Sequence, residues 1–415
     1  MPGGTSGISI IVLRSYESRG RKSDMARPFF QNLRLLSVVA LLVFVAACGS
    51  GTRSSGTAGG GSASSGQQKT ANIGLAFSLT GAAAQYGPTQ KNGANLAAEE
   101  INASNYIPGV KLNLMLEDDA SDKAQGINVY QKFINQDKVA AIIGPTISNT
   151  AIAADPVAQA AKVPVLAVSN TGAGITTIGD YIFRDSLAEA DVVPQTVKAA
   201  INTLHFSKAA VLYANDDSFS KDGYDAFKKA LDDNKIQIVD TETFATGDKD
   251  FSAQLTKARD AKPDVLVVEA LLNPVVGLTV QARQLGMNLP IVGGNGFNSP
   301  VFIQQAGKAS EGVIVGAAWN SAEPNPKSQA FINAYKAKFN ADPDQFAAQA
   351  YAGVYIMAQA IKNANSIERP AIRDNLAKIQ NFDTVLGNFS FTSGRDANHK
   401  AVIQIVKDGK FQILP

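Results

Sequence analysis

From Asn72 onward the chain repeats one pattern: a short apolar run of strand length, a loop of small residues, then apolar residues at helical spacing. Ile73–Phe77 is the first run. Leu79–Pro88 follows, rich in Gly, Ala and Thr, and from Thr89 the residues Ala94, Leu96, Ala97 and Ile101 recur at helical spacing. The next units predict strands at Leu112–Leu116, Ala140–Ile143 and Val163–Val168, with helices at Ala124–Asp137 and up to Ala161. The rhythm restarts after Asp185. Helices are expected at Ala190–Leu204, Phe219–Asp233 and Pro274–Leu285, and strands at Ala209–Tyr213, Gln237–Thr243, Val265–Glu269, Pro290–Val292 and Gly312–Ala317. Gln329–Phe339, Gln345–Ala364 and Pro370–Lys378 read as helices, and Val402–Val406 with Phe411–Leu414 as a terminal hairpin. Strand and helix alternating in this way predict an α/β fold with parallel sheets and right-handed crossovers. Two such series, with helices returning near the end, point to two lobes, although periodicity equally allows one large sheet or two independent domains.

The first 47 residues carry six of the chain's 38 basic residues and two of its 36 acids, leaving 32 and 34 from Cys48 onward. That near-neutral remainder has no basic balance to favour nucleic acid. Leu35–Ala47 is a 13-residue run, apolar apart from Ser37, behind Arg27 and Arg34. It is short for a membrane span of about 20 residues and reads as the core of an export signal covering 1–47. Residues 1–24 precede Met25, a more natural first residue for such a signal. The run ends in Val45-Ala46-Ala47-Cys48, which looks like a bacterial lipoprotein cleavage box, and Cys48 is the only cysteine. Cleavage there would leave a lipidated amino terminus at a membrane surface. Gly49–Gln68 is almost entirely Gly, Ser, Thr and Ala, so 48–70 is expected to be a flexible tether.

Motifs for bond-making chemistry are missing. His205 and His399, the two histidines, sit in no metal-like or catalytic spacing and are expected to be solvated. No nucleophile elbow, Walker loop or complete dinucleotide fingerprint occurs. Asp118, Asp119 and Asp122 lack the Gly and terminal Glu of a calcium loop and are expected to end a strand and cap a helix. Ser148 or Ser169 as an amide-hydrolysing nucleophile would lack a paired base. No metal, cofactor or catalytic residue is therefore expected. What remains is a set of small polar residues at strand ends: Ser78 and Thr80, Thr146–Thr150, and Ser169–Thr171. Each cluster alone is compatible with a plain helix cap. Three of them in successive βα loops favour binding, because hydroxyls and helix-start amides can hold a carboxylate without a buried Arg.

Taken together, the lipobox, Phe77-Ser78-Leu79-Thr80-Gly81 with Tyr86-Gly87, Glu117-Asp118-Asp119, Ile143-Gly144-Pro145 and Tyr213–Asp217 before Phe219 resemble the branched-chain amino acid-binding proteins. These are solute receptors of ABC importers with the type I periplasmic-binding-protein fold, and the similarity covers residues 71–415. It implies two Rossmann-like lobes joined by three hinge crossings, one formed by 71–186 and 320–388, the other by 187–319 and the terminal strands in 389–415. The first lobe would hold a ligand carboxylate at Ser148, Ser169 and Thr171, with Asn149 and Asn170 in the same loops. Tyr86 would line the side-chain pocket, Phe219 would cover the ligand, and Leu271 would stand near another wall. Trp319 would lie near a hinge.

One position departs from the family. Asn295 stands where an acidic residue commonly binds the ligand's ammonium, and losing one partner of such a pair costs about 2–5 kcal/mol. Either Glu269 or Asp217 substitutes, or the ligand is an amide, an aromatic acid or another small carboxylate. The resemblance implies a monomeric, lipid-anchored, extracytoplasmic receptor that is not an enzyme, with a small solute and an ABC permease as partners. A sensory ectodomain that signals without transport is the alternative on the same fold.

Overall fold

The computed structural model describes residues 68–414; the expected export signal, Cys48 and nearly all of the tether lie outside them. The chain opens with β1 (Lys69–Phe77), α1 (Gly87–Ala103), β2 (Val110–Asp118), α2 (Lys123–Asn135), β3 (Ala141–Ile143), α3 (Ser148–Ala160), β4 (Val165–Ala167) and β5 (Ile182–Arg184). These strands form a parallel five-stranded sheet in the order β2-β1-β3-β4-β5. β3 and β4 are buried along their whole length, as strands covered by helices on both faces must be.

The second series runs α4 (Glu189–Leu204), β6 (Lys208–Ala214), α5 (Ser218–Asp233), β7 (Gln237–Phe244), α6 (Ser252–Asp260), β8 (Val265–Glu269), α7 (Leu272–Gln284), β9 (Ile291–Gly293), α8 (Pro300–Ala306) and β10 (Ile314–Ala317). α9 (Pro326–Phe339), α10 (Gln345–Ala364) and α11 (Arg369–Leu376) then return to pack on the first sheet's core. α10 is apolar on most of its circumference because it lies between that sheet and α1. The approach is close: a Cβ on Gly93 would lie 2.1 Å from the Ala347 carbonyl oxygen.

β11 (Phe382–Thr384), β12 (Gly387–Phe391) and β13 (Ala397–Asn398) form a small antiparallel sheet. β14 (Val402–Lys407) and β15 (Lys410–Ile413) then complete the second sheet in the order β15-β14-β10-β9-β8-β6-β7, β14 and β15 being antiparallel additions. Two α/β lobes result, and the chain passes between them after β5, after β10 and after β13. The last passage falls later than the expected 389. Phe389 and Phe391 are buried in the first lobe's core, with Phe391 edge-on to Phe183 at 5.2 Å. Neither β5 nor β11–β13 stood out as a strand in the sequence, being only two to five residues long. Among the described residues, no helix is long and apolar enough to cross a membrane.

Candidate functional site

Loops from the carboxyl ends of both sheets converge on one pocket of about 310 Å³, counting its open mouth. That is where open parallel sheets place ligands, but the free space between the walls is only about 20 Å³, room for about one water, so the two walls stand nearly closed on each other. The first lobe contributes Tyr86, Thr146, Ile147, Ser148, Ser169, Asn170, Thr171 and Phe346; the second contributes Phe219, Leu271, Asn295 and Gly296.

A buried hydrogen-bond network organises the first wall. Gln90, on α1, donates to Ser169 Oγ (2.8 Å) and accepts from Thr146 Oγ1 (2.8 Å), while Ser169 Oγ donates to the Thr146 carbonyl (2.7 Å). Thr171 Oγ1 donates to Glu189 Oε1 (2.8 Å). A hydroxyl has one hydrogen, so those of Thr146, Ser169 and Thr171 are all committed. Ser148 Oγ differs: it accepts from the Gly172 amide (3.1 Å), and its own hydrogen is given to no protein acceptor. Ser148 also opens α3, whose first-turn amides have no acceptor within the helix. Arg184 holds this loop by donating from Nη1 to the Gly172 carbonyl (2.7 Å), while Nη2 and Nε donate to Asp396 Oδ1 (2.6 and 2.8 Å).

On the second wall Phe219 and Leu271 present apolar surface. Asn295 is fixed by its amide: Oδ1 accepts from Gln345 Nε2 (2.6 Å) and Asn298 Nδ2 (3.3 Å), and Nδ2 makes a long contact to the Ser169 carbonyl (3.4 Å). Carboxylates stand behind it. Glu269 is fully buried with neither oxygen hydrogen-bonded. It fits because Gly223 and Gly294 lack side chains; a Cβ on Gly294 would lie 1.8 Å from Oε2. Burial, then the neighbouring Glu189 and Asp217, push its pKa far above the usual carboxylate range. Burial pushes Glu189 up to about 7, against the lowering effect of the Thr171 hydroxyl. Asp217 caps α5 by accepting from the Ser220 amide and hydroxyl.

The lobes meet across the pocket. Tyr86 OH donates to the Gly296 carbonyl (2.9 Å), and the Ala173 amide donates to Asp222 Oδ2 (2.8 Å). Tyr86 also packs on Phe346, ring centroids 4.4 Å apart.

Eight of the nine residues anticipated from sequence line this pocket: Tyr86, Ser148, Ser169, Asn170, Thr171, Phe219, Leu271 and Asn295. Asn149 does not. One step along α3 it faces α5 instead, where its Oδ1 accepts from the Ser218 amide (3.1 Å). Ser78 and Thr80 also lie away from it, bound to Asp119 and Asp118 respectively. Thr146 belonged to an anticipated hydroxyl cluster, whereas Ile147, Gly296 and Phe346 had no local signal. Gln90, Glu189 and Gln345 act from behind the lining and were also missed. His205 is exposed, but His399 is half-buried against Phe389 and its pKa is pushed down to about 4 by burial, contrary to the solvated expectation. Asp122 caps α2 through the Gln125 amide. Among the described residues, no group of three or more His, Cys, Asp or Glu could hold a metal ion.

Two doubly wound lobes with a pocket between them define a two-lobed binding protein. The family described as "Periplasmic binding protein" matches residues 70–410, and the chain belongs to it. It is 30% identical over 330 residues to the leucine-, isoleucine-, valine-, threonine- and alanine-binding protein of Pseudomonas aeruginosa, covering 79% of this chain and 87% of the relative. A Leu/Ile/Val-binding protein of Rhizobium johnstonii is 32% identical over 329 residues, 77% of this chain and 86% of the relative. Among solved structures, the branched-chain amino acid transporter substrate-binding protein LivJ of Streptococcus pneumoniae, in complex with isoleucine, superposes with a TM-score of 0.78 at 33% identity. That match covers 83% of this chain and 98% of LivJ. These relatives are solute-binding proteins, and the family implies an extracytoplasmic location.

Proposed function

We propose that this protein captures a small carboxylate-bearing solute between its two lobes and delivers it to an ABC permease, while Cys48 anchors it by lipid to the outer face of the cell membrane. The observation that carries the reading is the division of labour at the pocket: a free hydroxyl and helix-start amides at Ser148 face apolar Phe219 and Leu271. A carboxylate at the start of α3 would gain both the hydroxyl and the unpaired amides. Ser169 and Thr171 would contribute through their backbone, since their hydroxyl hydrogens are already given away. An aliphatic or aromatic side chain would then lie among Tyr86, Phe346, Phe219 and Leu271. The names of the relatives make leucine, isoleucine and valine the first ligands to try.

Closure on such a ligand would shift a two-state equilibrium, because only the closed form brings both walls to it. The test is thermal unfolding of the full chain against aliphatic amino acids, their amides and aromatic acids. A ligand at 100 times its dissociation constant adds about 2.7 kcal/mol when it binds the folded state alone. No stabilisation by any member of that panel would sink the reading. Anchoring is tested separately, by replacing Cys48 with Ser and following release from the membrane fraction.

A further inference from the structure

We propose that Glu189 is the countercharge for an ammonium group on the ligand, recognised where Thr171 and Asn295 meet, so that the ligand is a zwitterionic amino acid rather than a bare carboxylate. The proposal rests on the pocket reading above and adds what that reading leaves open, the group that compensates for a neutral Asn295.

Three observations converge there. Thr171 and Asn295 line the main pocket and also a second, narrow space on the hinge side, with free room of about 10 Å³, which Glu189 and Gln349 border as well. The side chains at that junction offer acceptors. Thr171 gives its only hydrogen to Glu189, so lone pairs are what it has left to offer. Gln349 is 1% exposed and its Oε1 has no partner. The Ser169 carbonyl is met only by the long contact from Asn295 Nδ2. Finally, Glu189 has no cation bonded to it. Arg184, on β5, is the nearby positive charge, but the hydrogen bonds it makes go to Asp396 and the Gly172 carbonyl, none to Glu189. The other groups facing Glu189 are Asp222 from α5, Glu269 from β8 and the Asn295 backbone amide. A primary ammonium brings three donors, no acceptor and one positive charge, which is what this junction lacks.

Glu189 is singled out from the other two acids by position. Glu269 is walled in by Gly223 and Gly294 and borders neither space. Asp217 caps α5 through Oδ2 and borders neither space. Glu189 alone borders a cavity and bonds a pocket-lining hydroxyl.

The test compares leucine and valine with their des-amino analogues, isocaproate and isovalerate, by calorimetry on the full-length protein and on Glu189→Gln, which keeps an oxygen acceptor for Thr171. The wild type should prefer an amino acid over its des-amino analogue. Glu189→Gln should weaken the amino acid by about 30-fold or more and leave the analogue within about threefold. Adding Asn295→Asp to Glu189→Gln restores a charge at the junction and should recover about tenfold or more, a rescue that a purely structural role for Glu189 would not give. Equal wild-type affinity for acid and amino acid, unchanged amino acid binding in Glu189→Gln, or loss of both probes together would each overturn the proposal while leaving a ligand site between the lobes in place. Failure of the wild type to bind any of the four probes would overturn this proposal, and the pocket reading falls with it only when the amides and aromatic acids fail as well.

Discussion

On the first-lobe wall, Thr146, Ser169 and Thr171 already have partners for their hydroxyl hydrogens, and the loop beneath them is tied down by Arg184. On the second-lobe wall, Phe219 and Leu271 stand in front of carboxylates that have few partners or none. The first wall is thus preorganised: a ligand finds its amides and the Ser148 hydroxyl already aimed, with little ordering left to do. The second wall supplies apolar surface, and behind it buried acids whose pKa values burial raises. One wall fixes where a polar head sits; the other rewards closure over an apolar tail.

The contrast predicts where stability resides. Phe219 is buried in the second lobe's core, and Phe219→Ala should cost about 3–5 kcal/mol in chemical denaturation. Ser169→Ala strands the Thr146 carbonyl and the Gln90 amide, and should cost about 1–3 kcal/mol. Equal losses would erase the distinction between an apolar wall that holds the fold and a polar wall that holds the ligand.

The buried acids give the next effect. Glu189 titrates near 7 in the fold against 4.5 for the free side chain. A raised folded-state pKa means that the fold binds the proton more tightly. Its stability contribution is therefore complete below about 4.5 and lost as pH rises through about 7. For a side chain 3% exposed, the ligand-free protein should lose about 3 kcal/mol across that window. Denaturant midpoints at pH 5 and pH 8 measure it. Glu189→Gln should flatten the slope, and a slope that survives the substitution would move its origin to Glu269 or Asp344.

Ser148 sharpens the comparison from the ligand's side. Hydrogen bonds to charged groups are worth about 1.5–3 kcal/mol, so Ser148→Ala should weaken a carboxylate ligand by about 10- to 150-fold. Thr146→Val should do much less to affinity, because its hydroxyl serves Gln90. If both substitutions weaken binding equally, the carboxylate is not held at the start of α3.

Much of the architecture was legible because parallel strands buried on both faces and amphipathic helices leave strong periodic signals, as with β8 and α10. The short β5 and β11–β13 left none, and with them went the place of the third passage. At the pocket, residues immediately after strands were legible, since strand ends carry loop chemistry. Phe346 was not: it reaches Tyr86 only because α10 returns from the far end of the chain. Glu189 was hidden for a similar reason. It looks like an ordinary acid in the first turn of α4, and only the fold sets it beside Thr171.

The smallest effect bears on closure itself. Tyr86 OH donates across the pocket to the Gly296 carbonyl at 2.9 Å, and burial raises the phenol's pKa, so it stays protonated and a donor. Tyr86→Phe removes that bond and keeps the ring against Phe346. When the lobes separate, water satisfies both groups, so the loss falls on the closed state alone, at about 0.5–1.5 kcal/mol. The ligand-free population should shift about 2- to 12-fold toward the open form, read as a larger radius of gyration in solution scattering. Apparent affinity should fall by at most the same factor, because a ligand that binds the closed state is weakened in proportion to that state's population. A variant with weaker binding but an unchanged ligand-free radius would mean that Tyr86 acts on the ligand directly and that the two walls are brought together by the solute alone.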